Sequence, residues 1–171
     1  MSDAKMMVPF YNDPHASKFT HIPYPYTLKD AKKHLKDRIS KFGKDSYDFF
    51  AFDKKTGEFI ASLGIVNIEK RDNKAHIGYF VAKNQRGKGY CTEACTSLLD
   101  FGFNKIKLHR ININHVKGNI GSKKVILKLG CKFEGVEREG SKPPLSKKYQ
   151  DHLLYAILDW EWKRRRKNKK R

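Results

Sequence analysis

The chain has 171 residues, a single-domain length with room for one sizeable core. With 39% apolar residues, 11 Phe and 8 Tyr it is not a disordered composition; no run approaches the roughly 20 apolar residues of a membrane span, and MSDAKMMVPF has no apolar signal core. The net charge of +19 points to a polyanionic partner, whether nucleic acid, a ribonucleoprotein or anionic lipid, and does not advertise an acidic pocket for a polycation.

In chain order, Met6 to Asn12 reads as a short helix, followed by a loop through Pro14 and His15. His21 to Tyr26, HIPYPY, is extended because two prolines restrict it. Thr27-Leu-Lys-Asp30 has the form of a capping box with Asp in place of Glu. It opens a helix through about Phe42 with Leu28, Ala31, Leu35 and Ile39 on one face, ended by Gly43. Tyr47 to Phe52 and Glu58 to Ile68 read as strands joined by a hairpin turn at 54–57, and a second turn, Lys70 to Lys74, leads to a strand over Ala75 to Ala82.

The next stretch, KNQRGKG from Lys83 to Gly89, is a short basic turn between that strand and a helix running from Tyr90 to about Lys105. On this helix Ala94, Leu98 and Phe101 share one side, with Cys91 and Cys95 nearby. Gly87 and Gly89 let the backbone approach a ligand with its N–H groups turned inward. The helix start adds unpaired donors and the positive end of a dipole, and Arg86 and Lys88 add full charges, which together make a site for a phosphate or pyrophosphate. A dinucleotide fold would want G-x-G-x-x-G and an acidic residue about 20 residues on, and a Walker loop G-x-x-x-x-G-K-[ST]; neither pattern is present.

Arg110 to Val116 reads as a strand and Asn119 to Leu129 as a helix closed by Gly130. Lys132 to Arg138 and Tyr149 to Leu158 are strands around a basic loop, Glu139 to Lys148. Asp159 to Trp162 runs into a basic tail, KRRRKNKKR at 163–171, which carries eight positive charges and leaves +11 on the rest. The tail is expected to be flexible and is a candidate contact for nucleic acid or the ribosome; the alternative is a merely solvated charge run. Cys91, Cys95 and Cys131 form no C-x-x-C pair and read as free thiols of a reducing, cytoplasmic compartment, more as small buried hydrophobes than as reactive groups. No His/Cys/Asp cluster has metal-ligand spacing, so no metal is expected. The order of elements predicts an α/β (α+β) single domain, with strands alternating with helices after an antiparallel start.

The strand–glycine loop–helix segment, Ile77 to Ala94, resembles the acetyl-CoA-binding motif of the GNAT acetyltransferases, Gln/Arg-x-x-Gly-x-Gly/Ala, with Asn84 at the first position and Gly87 and Gly89 as the glycines. The segment Asn119-Ile-Gly-Ser122 … Lys128-Leu-Gly-Cys131 … Glu134-Gly135 is similar to one in the Rim-type N-terminal acetyltransferases of ribosomal proteins, as are His21 to Tyr26, Ile77-Gly-Tyr79, Thr92-Glu-Ala94 and Asp159-Trp-Glu-Trp162. The resemblance covers about Pro9 to Trp162. It implies a single GNAT-type domain over 1–162, with a mixed sheet of about six or seven strands flanked by about four helices and the first edge strand missing or very short.

The resemblance also implies acetyl-CoA as co-substrate and direct attack by an amine in a ternary complex. Phe80, Val81 and Ala82 would then line pantetheine, with the Val81 N–H toward the thioester oxygen. Gln85, Arg86, Gly87, Lys88, Gly89, Tyr90 and Cys91 would surround the phosphates. Asn119 would cap its helix and touch the pantetheine arm, Lys124 (with Lys123) would neutralise phosphate, and Ser122 would protonate the leaving thiolate. Many members use a tyrosine four residues beyond Ser122; here that position is Ile126. For the general base, His76 stands where many relatives have Glu, and Glu69 is its rival; His109, Asp151 and His152 are weaker candidates. Each of these also has a plain reading as a surface or packing residue. Tyr24 and Tyr26 are expected to wall the acceptor pocket or to pack in the core, and Asp45, Asp48, Glu69 and Asp72 are the few acids near the substrate side.

Three functions follow as expectations: an acetyltransferase acting on a protein N-terminus; a small-molecule amine acetyltransferase for a polyamine, amino sugar or antibiotic; and a catalytically weak nucleic-acid- or ribosome-binding protein on the same fold. The protein is expected as a monomer or homodimer.

Overall fold

A computed structural model describes residues 2–168. Six strands form one mixed sheet: β1 (Tyr47–Phe52), β2 (Phe59–Glu69), β3 (Lys74–Val81), β4 (Arg110–Val116), β5 (Lys132–Ser141) and β6 (Gln150–Leu158). They lie in the order β1-β2-β3-β4-β6-β5, and every pair is antiparallel except the central β3–β4 pair. The helices are α1 (Ser2–Tyr11), α2 (Pro14–Ser17), α3 (Leu28–Lys41), α4 (Tyr90–Asn104), α5 (Ile120–Leu129) and α6 (Asp159–Asn168), two more than the four or so expected. The first strand follows three helices, as the missing edge strand predicts.

Alternation along β2 and β3 sends side chains to two separate cores, and a bulge between Phe59 and Ala61 turns Phe59 to the second of them. Leu63, Ile65, Ala75 and Ile77 pack under α4 and α5 with Leu98, Leu99, Ile126 and Leu129. On the opposite face Phe59 and Phe80 pack with Met7, Tyr11 and Ala31 of α1 and α3. The helix ends are set locally. Thr27 Oγ1 accepts from the Asp30 N–H and Asp30 accepts from the Thr27 N–H, so the capping box closes both ways. Asn119 caps α5, and Gly130 ends it with φ 85°.

Three readings shift. The first helix begins at Ser2 rather than Met6, and Pro14 opens a short helix instead of a loop. The buried face of α4 is centred on Cys95, Leu98, Leu99, Gly102 and Phe103, while Ala94 and Phe101 lie at its margin. Gly102 makes the difference: a Cβ there would stand 2.8 Å from the Ile111 side chain, so the helix seats its glycine against the sheet.

The third shift concerns the C-terminal charge run. Lys163 to Asn168 continue α6 instead of forming a flexible tail. Trp162, 3% exposed, is buried beside Phe103 and donates through Nε1 to Asp100 at 2.8 Å. Arg166 pairs with the other oxygen of Asp100, and Arg165 donates to the Lys128 carbonyl at the end of α5. Residues 169–171 of the run lie outside the described residues. Replacement Trp162→Ala should remove about 3–5 kcal/mol, lowering the thermal midpoint by about 10 °C. A loss under about 1 kcal/mol would show that the helix contributes no core contact.

Candidate active site

The central parallel pair is short. β3 and β4 pair only at Lys74↔Arg110, Ala75↔Ile111 and His76↔Asn112. Beyond that point β3 stays paired to β2 as far as Val81, and β4 to β6 as far as Val116. Residues 77–81 and 113–116 therefore face each other across a cleft, with edge backbone groups that a ligand's amides can meet.

At the mouth of the cleft a 3-10 turn, Lys83–Gln85, leads into the glycine loop and α4. Gly87 and Gly89 have φ of 78° and 90°, and a Cβ on either would meet nothing within 4 Å. The loop thus presents bare left-handed backbone to open space, and no side chain caps α4. Both features fit an anion such as the pyrophosphate of CoA.

Around this backbone the side chains differ from expectation. The Arg86 guanidinium turns back under the loop to donate to the Val81 carbonyl and to the buried Asp13 carboxylate, which is also the cap of α2. Burial tends to raise the Asp13 pKa, but the hydrogen bond and charge of Arg86, with the N–H groups of His15 and Ala16, outweigh it and hold the carboxyl below its usual range. Arg86 is a clamp on the end of β3, so as a phosphate contact it has only its backbone to give. Gln85 is buried, donates to Glu58 at 3.0 Å and accepts from Lys88 Nζ at 3.1 Å. Among the loop side chains Lys88 remains the exposed cation beside the glycines.

Across the cleft stands the start of α5. Asn119 Oδ1 accepts from the Ser122 N–H at 3.1 Å, which settles its capping role. Lys123 and Lys124 are exposed on the first turn. Ser122 Oγ lies 2.7 Å from Tyr79 Oη, a hydroxyl pair joining β3 to α5 over the cleft. Burial pushes the Tyr79 phenol far up, opposed by its bond to Ser122, so it stays protonated. With Tyr79 donating, Ser122 keeps its own O–H for another acceptor. Ile126 is fully buried. Two of the free thiols are held protonated: Cys95, hydrogen-bonded to Cys91 and buried, is held well up, and burial pushes the Cys131 thiol up to about 12.

On the other face of β1–β3 lies a cavity of about 620 Å³ under α1 and α3. Its floor is a row of residues in register, Asp48↔Gly64↔Gly78, followed by Phe50↔Ser62↔Phe80. Its roof includes Tyr11, His34, Leu35, Arg38 and Ile39. Leu35 and Ile39, read from sequence as sharing one face of α3, both line this cavity; Leu35 also packs against the α1–α3 core, while Ile39 is 72% exposed.

The candidate bases are pulled apart. Glu69 pairs with Lys74 at 3.0 Å on the β2–β3 hairpin, seven residues from Val81 along β3, or about 23 Å. That distance removes Glu69 from any chemistry beside Val81 and makes it a hairpin charge. His76 sits at the apex of the cleft, on the face that carries Gly78. Burial pushes its imidazole pKa down, with Lys74 and Arg110 adding to the effect against Glu69, so it is neutral at pH 7. His109 faces Asp159, Asp151 pairs with Lys117, and His152 bonds Ser141 and Asn114, all on the β4–β6 side. Neither Tyr24 nor Tyr26 lines the cavity: Tyr24 is exposed, while Tyr26 is buried and stacks on Tyr11, which does line it. Sequence reasoning missed Tyr11, His34, Arg38 and Tyr79. The available signal was the pair of strand-interior glycines, Gly64 and Gly78, which mark close approach to a sheet face.

Comparison with known proteins places this geometry. Residues 1–132 match the family model of the acetyltransferase (GNAT) domain. The chain is 32% identical over 136 residues, 78% of its length and 74% of the relative's, to "Probable N-acetyltransferase YjcK" of Bacillus subtilis. It is 26% identical over 127 residues, 72% of its length and 64% of the relative's, to the [ribosomal protein uS5]-alanine N-acetyltransferase of Escherichia coli. In fold it is similar to the spermidine N-acetyltransferase of Vibrio cholerae solved with CoA and spermine, at TM-score 0.82 and 18% identity over 94% of this chain and 92% of that one. The chain belongs to the GNAT acetyltransferase family, on its Rim-type branch, and is an acyltransferase.

The Arg86–Asp13 clamp has a pH signature. Because the folded-state pKa of Asp13 is depressed, its stabilisation is present above the unfolded value of about 3.9 and is lost as pH falls through the folded one. Asp13→Asn should cost about 2–3 kcal/mol at pH 7, with the gap to wild type closing below about pH 4 in chemical denaturation. A gap that persists unchanged at pH 3 would show that the carboxylate charge is not what stabilises the turn.

Proposed function

We propose that this GNAT enzyme transfers an acetyl group from acetyl-CoA to a primary amine, by direct attack in a ternary complex, and that the amine is the N-terminus of a protein. The observation that carries the reading is the cleft itself. Two helix N-termini flank the parting strands, bare glycine backbone stands at the mouth, a hydroxyl pair bridges the middle, and an apolar-walled cavity opens on the far side of β3.

Acetyl-CoA supplies an activated carbonyl and a thiolate leaving group. The chain contributes the rest. The loop of Gly87 to Gly89, the start of α4 with Tyr90 and Cys91, and Lys88 hold the pyrophosphate, with Lys124 nearby on α5. The edge of Phe80, Val81 and Ala82 and the Asn119 turn hold the pantetheine arm between the strands, with an N–H of that edge on the carbonyl oxygen. Ser122, oriented by Tyr79, gives its proton to the departing sulfur. His76, neutral and at the apex, lies five residues or about 17 Å from Val81 by the measure applied to Glu69, so it takes the proton that the ammonium must lose before attack through a relay of waters and not by direct contact. Holding both reactants in one groove supplies much of the acceleration. The N-terminal acceptor rests on the Rim-type segments around Asn119 and Ile77; the free thiols fit a cytoplasmic setting.

Calorimetric titration with acetyl-CoA tests the cofactor: micromolar one-site binding is expected, several-fold weaker in Lys88→Ala. With an alanine-initiated peptide as acceptor, Ser122→Ala should lower kcat about 10²-fold and Tyr79→Phe about tenfold, with acetyl-CoA affinity unchanged in both. No acetyl-CoA binding by the wild type would sink the reading, and full turnover in Ser122→Ala would remove the serine as proton donor.

A further inference from the structure

The geometry points to Asp48 as the residue that receives the acceptor's ammonium group, in a site built for one positive charge on an apolar body and not for a polycation. This inference rests on reading the cavity as the acceptor site.

Asp48 stands on β1 directly opposite Gly64, which in turn stands opposite Gly78 on β3. Its side chain is 27% exposed, with Oδ2 buried. It folds over β2: a Cβ on Gly64 would lie 2.5 Å from Asp48 Oδ1. Any residue but glycine at 64 would displace the carboxylate, so the glycine makes room for it. The next position in the row is also glycine, and a Cβ on Gly78 would meet nothing within 4 Å. The carboxylate therefore looks along a side-chain-free trough toward the strand that borders the cleft. With neighbouring strands about 4.8 Å apart, a group resting on the carboxylate above β2 is one strand away from the β3 edge.

The polar inventory favours a cationic partner for Asp48. Asp48 Oδ2 is buried without a hydrogen-bond partner, while Oδ1 faces Arg38 Nη1 at 3.6 Å. A buried carboxylate oxygen left unpaired is costly, and an ammonium is the group that would satisfy it with a charge-assisted bond. The walls around it are apolar, with Leu35, Ile39, Phe42, Phe49, Phe50 and Phe80 all lining the cavity. The other titratable or charged groups there are Asp3, Tyr11, His34, Arg38 and Tyr79, the last hydrogen-bonded to Ser122. Tyr11 is bonded to Ser62, and Arg38 lies on the same wall as His34 and already faces one oxygen of Asp48. Burial and the Arg38 charge push the His34 imidazole pKa down, so Arg38 is the cation of this wall, and its charge disfavours a second ammonium beside the first. The acceptor class is thus a primary amine next to apolar substituents, as at the N-terminus of a peptide with a small or apolar leading segment.

The test measures binding and turnover separately, using the full chain, an alanine-initiated apolar hexapeptide, its N-acetylated twin and spermidine. Peptide binding to the CoA-saturated protein is followed by calorimetry, and acetyl transfer by release of thiol. The isosteric Asp48→Asn variant should weaken peptide binding and raise its KM by roughly 30-fold or more, with acetyl-CoA affinity unchanged. The N-acetylated twin should bind wild type and variant equally weakly, and spermidine should be the poorer substrate of the wild type. Equal peptide KM in wild type and Asp48→Asn, or a preference for spermidine, would overturn the inference while leaving acetyl transfer intact. Asp48-dependent peptide binding without any transfer would uphold it and defeat the proposed function. A wild type that neither binds nor acetylates the peptide would overturn both. Gly78→Val, which fills the trough and leaves Asp48 in place, should block peptide binding and spare acetyl-CoA; normal peptide binding there would also count against the inference.

Discussion

The structure turns on the early parting of one parallel strand pair. Three residue pairs join β3 to β4 at one end, and then the strands separate while each keeps its outer neighbour. A sheet that simply continued would bury this backbone in its own ladder and leave no groove. Because the two halves stay anchored in separate three-strand units, the opening costs only the hydrogen bonds across one gap, and a linear ligand with amides can restore them. The helix N-termini of α4 and α5 follow from the same parting: α4 leaves from the end of β3 and α5 from the end of β4, so both point their donors at the groove.

Holding such a gap open requires fixed points on each side. On the β3 side the fixed point is Arg86, which ties the Val81 carbonyl to the Asp13 cap and so to the α1–α2 layer. The bridge from Gln85 to Glu58 ties the same turn to the start of β2. On the other side Asn119 closes the first turn of α5, and Ser122 meets Tyr79 from β3. The cleft is thus framed by polar contacts at its rim and by the α4–α5 core beneath, a division that gives rigid placement of backbone donors, the requirement for stabilising charge that appears only in a transition state.

Much of this was legible in the residues, and the reason is local. Gly87 and Gly89 mark the loop because only glycine takes left-handed backbone without cost, and Thr27, Asn119 and Gly130 mark helix ends because their roles are decided within a few residues. What was not legible depends on long-range pairing. Arg86 looked like a phosphate ligand because its partner, Asp13, lies 73 residues away. Glu69 and His76 looked like near-equal bases because the register that removes one to the hairpin and leaves the other at the apex cannot be read along the chain. Tyr24 and Tyr26 drew attention by composition, yet it is Tyr11, stacked between Tyr26 and Phe80, that reaches the cavity. The basic run after Trp162 read as a tail because its composition is that of a solvated segment; the contacts that make Lys163 to Asn168 a helix come from Asp100 and the end of α5.

The charge of the chain and the charge of its cavity run in opposite directions, and that contrast bears on how two substrates share one enzyme. A net charge of +19 draws the anionic co-substrate toward the protein and repels a cationic amine. Approach of the amine is therefore opposed at long range, and its recognition must be short-range and desolvated, where a single carboxylate counts for more than many screened surface cations. A negative site exposed at the surface would be swamped by the surrounding lysines and arginines. Folded over Gly64 and only partly exposed, Asp48 faces one cation, Arg38 at 3.6 Å, with one oxygen and leaves the other to what enters the cavity. The same burial excludes an amine with no apolar flank, since nothing would then replace the water it displaces from Phe49, Phe50 and Ile39. On the proposed reading of the cavity, selectivity for the acceptor is in this way a consequence of where the sheet places two glycines.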